Sequence, residues 1–117
     1  MNISLAGLTA TAVETDPNGV IGPETVFHFR QEDDRVWVHY EGGRIDRGYL
    51  VGLIDRDQLR FRYCQIESDG TLNGGVSVCE LDVDSTGRRL IIERFEWESR
   101  DGGGRNVIRE RDVDPIG

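Results

Sequence analysis

The chain contains no lysine; all 14 of its basic side chains are arginine. That excludes chemistry built on a lysine amine: a Schiff base, a phosphate-loop lysine, or a kinase-type lysine on nucleotide phosphates. Cysteine is almost as scarce. Cys64 and Cys79 are the only two, far apart and in no C-x-x-C pair, and are expected as free thiols. No apolar run approaches the roughly 18 residues of a membrane span. Met1-Asn2-Ile3-Ser4-Leu5 has neither the basic start nor the apolar stretch of a secretory leader, so the expected location is the cytoplasm. Against the 14 arginines stand 22 acidic residues, for a net charge of −8. Nucleic acid and anionic membrane both need a basic face, so neither partner is expected.

What is abundant is glycine, with 15 residues, while only 37% of the chain is hydrophobic. Both point to a turn-rich β protein. The 117 residues suit a single domain spanning 1–117. Folding such a chain hides about two-thirds of its surface, enough for one core. Turn signals recur at Asp16-Pro17-Asn18-Gly19, Gln31–Asp34, Gly42-Gly43, Asp55–Asp57, Asp69-Gly70, Asp84–Gly87 and Arg100–Gly104. Between them lie alternating β-branched and aromatic segments such as Val36-Trp37-Val38-His39-Tyr40. Short connections make sequential strands antiparallel neighbours. Closing the meander removes its two exposed edges. The expected fold is therefore all-β, an eight-stranded antiparallel up-and-down barrel.

Centring each hairpin on its turn predicts the registers. Tyr40 then faces Ile45, Val38 faces Arg47, and Arg47 faces Gln65; Tyr49 faces Tyr63, Gln65 faces Gly74, and Gly74 faces Trp97. Phe27 faces Val38, and Val78 faces Glu93. On these registers one continuous inner face holds Tyr40, Tyr49, Tyr63, Arg47, Gln65, Glu93 and Trp97, with Ile108 and Glu110 added from the last segment. An eight-stranded barrel is filled by side chains or holds one small ligand. Hydroxyls, an amide and charges among aromatics compose a small polar-ligand pocket. The leading expectation is non-enzymatic binding of a small polar or anionic molecule, with Arg47 as its anchor and the other six residues around it. A structural or oligomeric module with a closed polar core is the alternative, and an enzyme of unknown type ranks third.

Catalytic and metal motifs are weak. His28 and His39 fall on the outer face with no third ligand at a recognised spacing. Gly75-Val76-Ser77-Val78-Cys79 does not match a nucleophile elbow, which needs a following helix. Glu96 and Glu98 have the opposite parity to Glu93 and are read as solvated. No cofactor, no metal and no catalytic residue is assigned. Cys64 is read opposite Gly75 and Cys79 opposite Arg60, an offset of roughly 13 Å by strand rise, too far for a disulfide. Cys79, Leu81, Leu90 and Ile92 fall together on the outside of the sixth and seventh segments. That apolar patch is expected to form a homodimer contact.

In its eight-strand meander the chain resembles avidin/streptavidin-like and lipocalin-like small barrels. Pro17-Asn18-Gly19-Val20, Thr25–Phe29, Tyr40-Glu41-Gly42-Gly43, Gly48–Gly52 and Glu93–Trp97 are similar to a group of small uncharacterised bacterial β-barrel proteins. Members are sometimes labelled N-acetylglutamate synthase. That label implies acetyl-CoA chemistry on an α/β fold, with a glycine-rich pyrophosphate loop opening a helix; the sequence has neither. The resemblance implies a barrel and transfers no site residue.

Overall fold

Each segment between the glycine- and aspartate-rich turns forms a strand in the computed structural model, which describes residues 3–111. Met1, Asn2 and residues 112–117 lie outside it. The strands are β1 (Thr9–Glu14), β2 (Val26–Glu32), β3 (Arg35–Gly42), β4 (Ile45–Asp55), β5 (Gln58–Glu67), β6 (Leu72–Val83), β7 (Arg89–Trp97) and β8 (Gly103–Glu110). Every neighbour is the next strand in sequence, and β1 pairs antiparallel with β8 to close the barrel. Among the described residues there is no helix.

The registers differ from the turn-centred expectation, and each difference has a local cause. Asp33 takes a left-handed conformation with φ of 55°, so β2 and β3 join through a tight turn at Asp33-Asp34. Phe27 therefore faces Tyr40, and His28 faces His39. The slip is two residues, so the inner face is unchanged: Phe27, Phe29, Val36, Val38 and Tyr40 are buried. β4 behaves otherwise. Its ladders to β3 and β5 both shift near Asp46, where a β-bulge inserts an extra residue. Ile45 points inward, as do Gly48, Leu50, Gly52 and Ile54. Arg47 and Tyr49, expected in the lumen, are outside and exposed, Tyr49 at 55%.

The turn at Arg56-Asp57, with Arg56 at φ 56°, reverses parity again. β5 accordingly presents Leu59, Phe61, Tyr63 and Gln65 inward as expected. A second pair of parity changes brackets β6. The loops 67–71 and 84–88 are each centred differently from their strongest turn residues, which gives Tyr63↔Gly75 and Cys79↔Glu93. Cys79 and Leu81 thus lie in the core at 0% and 6% exposure, and Gly74 faces away from Trp97's partner Gly75. The expected dimer patch loses two of its four members, and the remaining Leu90 and Ile92 sit opposite Asp82 and Glu80. The apolar exterior lies elsewhere, where Trp37, Val51, Leu53 and Val78 are exposed on β3, β4 and β6. Cys64 faces Gly74 on the outside and Cys79 faces Leu59 inside; both are free thiols on opposite faces of the wall.

Both mouths are covered. At one end the segment 3–8 folds in with Leu5 and Leu8 fully buried, Leu5 N–H donating to Gln31 Oε1 at 2.8 Å. An Arg89–Glu110 ion pair at 2.9 Å lies beside it, and Arg89 also donates to the Ser4 carbonyl. This end is apolar, with Val36, Leu59, Leu81 and Ile91. At the other end the β1–β2 loop crosses the opening, and there the lumen becomes polar.

Candidate functional site: the polar half of the lumen

Alternation places Tyr40, Tyr63, Gln65, Glu67, Asn73, Ser77, Glu93 and Asn106 on the inner surface. All but Tyr63, which is partly buried, are closed to solvent. Seven of them, all but Tyr63, form two hydrogen-bonded groups. In one, Tyr40 Oη donates to Gln65 Oε1 at 2.8 Å, and Gln65 Nε2 donates to Glu67 Oε2 at 3.0 Å. Asn73 Nδ2 donates to the same Glu67 oxygen at 2.7 Å. Gly48 makes room for this group: Tyr40's ring packs onto the glycine, where any Cβ would collide with it.

In the second group Glu93 accepts from Ser77 Oγ at 2.6 Å and from Asn106 Nδ2 at 3.0 Å. Asn106 Oδ1 in turn accepts the Asp16 N–H at 3.0 Å, which ties the buried carboxylate to the loop over the mouth. That loop is stitched further. Arg105 N–H donates to Asp16 Oδ2 at 3.1 Å, and Trp97 Nε1 donates to the Asn18 carbonyl at 2.9 Å.

Between the groups lies a cavity of about 30 Å³, bordered by Gly19, Val20 and Ile21 of the loop and by Tyr63, Gln65, Glu93 and Trp97. It holds about one water. Tyr63 Oη is buried there with no hydrogen-bond partner. Tyr63's ring is edge-on to both Phe61 and Trp97, which fixes where the hydroxyl points.

Burial raises the Glu93 carboxyl above the usual range, and the hydrogen bonds from Ser77 and Asn106 only partly oppose this. Burial and then the Glu93 charge raise the Tyr40 and Tyr63 hydroxyls, so both are donors at any ordinary pH. Because folding raises the Glu93 value, the unfolded chain loses that proton first. Stability therefore falls as pH rises from the ordinary glutamate value through the raised one. Glu110, Asp69 and Asp84 are lowered, mainly by hydrogen bonds, and their contribution is lost in the opposite direction, as pH falls below the ordinary range. Glutamine at 93 fills the same volume, accepting from Asn106 and donating to Ser77. Glu93→Gln is thus expected to flatten the decline in urea midpoint as pH rises above the ordinary glutamate range, while leaving the acid limb in place. An unchanged slope would assign the decline to another group.

Of the residues expected around a ligand, Tyr40, Tyr63, Gln65, Glu93 and Trp97 come together. Arg47 and Tyr49 do not, because the bulge at Asp46 turns them out. Asn106 was legible in principle, since it shares its parity with Ile108 and Glu110 on β8. Ser77 was hidden by the β6 parity change. Losing Arg47 removes the one cation expected in the lumen: among the described residues, the buried carboxyl side chains are Glu67 and Glu93, with no buried arginine beside them.

A closed antiparallel meander whose interior is half apolar and half hydrogen-bonding defines a small barrel with a polar lumen. The chain belongs to the avidin-like protein family, whose sequence model matches residues 3–111. No curated protein and no solved structure matches it.

Proposed function

We propose that the protein binds a small polar molecule in the lumen without chemical conversion. The ligand carries an acceptor for the Tyr63 hydroxyl, N–H or O–H donors for the Glu93 and Gln65 oxygens, and an apolar part for the walls of Phe61, Phe95 and Trp97. Membership of the avidin-like family supports a ligand-binding barrel. The observation that carries the reading is the Tyr63 hydroxyl, buried beside the cavity and without a partner. A buried unsatisfied donor costs about 1–3 kcal/mol, so this hydroxyl calls for an acceptor in the adjoining cavity, a role that a ligand fills by displacing the water the cavity has room for. The cavity is too small for more than a water, so the 19–21 segment must lift for the ligand to enter. An anionic ligand, expected from Arg47, is not favoured by a lumen whose buried charges are carboxyls.

The test is a thermal-shift panel of small amides, ureas, amino alcohols and aromatic amines, read together with Trp97 fluorescence. A ligand present at about 100 times its Kd adds about 2.7 kcal/mol to stability. Tyr63→Phe removes only the orphan hydroxyl. It is expected to leave the free protein as stable or slightly more so, and to weaken any ligand found by about tenfold, the worth of one hydrogen bond to a neutral partner. A variant clearly less stable in the free form would make the hydroxyl a structural group, and a panel with no shift at high excess would count against lumen binding.

A further inference from the structure

The exterior carries a second cluster of chemistry-bearing side chains, on the far side of the wall from the lumen. His28 on β2 and His39 on β3 are direct cross-strand partners, and Glu41 lies two positions further along β3 on the same outward face. Sequence spacing hid this trio. The histidines are brought together only by the tight turn at Asp33-Asp34, and Glu41 completes them from a diagonal position.

The imidazole rings stack with centroids 5.8 Å apart and an interplanar angle of 18°. Both Nε2 atoms reach the same carboxylate: His28 Nε2 is 3.3 Å from Glu41 Oε1, and His39 Nε2 is 3.2 Å from Glu41 Oε2. One ligand atom from each residue lies within 4.8 Å of the other two. The His39 contact is close yet makes no hydrogen bond, and the buried Glu41 Oε2 accepts none. The Tyr49 ring backs His39 at 5.3 Å. His28 and His39 line a broad exterior groove with Trp37, Tyr49 and Val51, which leaves the trio open to solution.

We propose that His28, His39 and Glu41 form a binding site for a divalent transition-metal ion of the Zn²⁺ class. Two imidazoles and a carboxylate are the donor set that such ions take with three protein ligands and an open fourth position. Bonds of about 2.0–2.1 Å in a tetrahedral arrangement separate neighbouring ligand atoms by about 3.3 Å, which is the separation each histidine nitrogen shows to its own Glu41 oxygen, so whichever oxygen binds is already in place against one histidine. The other two donor pairs, within 4.8 Å, close by rotation of the side chains. An ion there supplies the positive charge that Glu41 Oε2 lacks, and binds the imidazoles through their neutral-form lone pairs. The site is distinct from the lumen and does not depend on its ligand. Hard, oxygen-seeking ions such as Ca²⁺ have no matching donor set here.

Titration with Co²⁺ tests the site directly, because ligand-field absorption reports nitrogen ligation and low coordination number. The chelator-stripped protein is expected to take up one Co²⁺ per chain with a visible band, displaced by one Zn²⁺ and not by Ca²⁺. His28 and His39 are the only histidines in the sequence. Their imidazole ¹⁵N resonances therefore provide a variant-free readout, and both are expected to shift on Zn²⁺ saturation. His28→Ala and His39→Ala alter exposed side chains and Glu41→Gln a half-buried one of the same volume, and each is expected to leave the far-UV spectrum unchanged. Each should weaken Zn²⁺ binding by at least about tenfold, the cost of disturbing even an outer partner of a metal ligand. Absence of a cobalt band, histidine resonances unmoved by Zn²⁺, equal displacement by Ca²⁺, or undiminished Zn²⁺ binding in the His28→Ala/His39→Ala double variant would each overturn the proposal.

Discussion

Cys79→Glu is expected to abolish folding, whereas Val78→Glu, one residue earlier, leaves the barrel intact. Cys79 is fully buried, with Leu59 across one ladder and Glu93 across the other. Burial and the Glu93 charge already push its thiol well above the ordinary range, a measure of how poorly the site tolerates negative charge. An uncompensated buried charge costs about 3–5 kcal/mol, and the larger side chain adds about 1–3 kcal/mol of overpacking. Together these rival the 5–15 kcal/mol that typically holds a domain of this size. Val78 is 46% exposed, and its cross-strand neighbours are Arg60 and Arg94. A glutamate there gains two arginine neighbours, and its effect stays within about 0.5 kcal/mol. Near-UV circular dichroism and urea unfolding of the two variants decide the matter. The reverse pattern would return β6 to the parity that turn-centring predicts.

Trp97→Ala is expected to cost about 3–5 kcal/mol, the usual price of emptying a buried aromatic site. The indole is packed edge-on against Tyr63 at 5.6 Å and Phe95 at 5.7 Å. Its Nε1 also holds the mouth loop through the Asn18 carbonyl. Trp97→Phe keeps most of the packing and removes the hydrogen bond, for a loss nearer about 1–2 kcal/mol. Urea midpoints give both values. Amide exchange then separates packing from loop tethering: in Trp97→Phe, protection is expected to fall in the 15–25 loop more than in β6 or β7. Equal loss throughout the barrel would show that the indole acts as core alone.

Much of the lumen was legible because its residues sit on strands whose parity survives common errors. A two-residue slip between β2 and β3 leaves Phe27, Phe29, Val36, Val38 and Tyr40 on the same face. β5 and β7 were assigned correctly even though each adjoins a strand that was not, because the parity errors occur in pairs around β4 and β6. Arg47, Tyr49, Ser77, Cys79 and Leu81 fell on the wrong face for that one reason. The histidine–glutamate trio was missed differently. Its faces were read correctly, but cross-strand neighbours depend on the pairing itself, and a shift of two residues moves His28 from opposite Trp37 to opposite His39.

The sequence by itself determined the strand count, the antiparallel meander and its closure. Turn chemistry is local, and eight β segments joined by short connections leave few ways to bury a face without leaving edges. The same locality placed the later turns within a residue or two, whereas the connection from β1 to β2 runs over 15–25, well beyond its turn signal at Asp16–Gly19. Only the tertiary structure decided which side of β4 and β6 faces inward. Side chains alternate with a period of two, so one added residue in a bulge or loop sends the rest of a strand to the other face. The bulge at Asp46 carries no distinctive local signal: both ladders of β4 shift there, and that pairing exists only once β3 and β5 are in place. It is what keeps Arg47, the one cation expected there, out of the lumen.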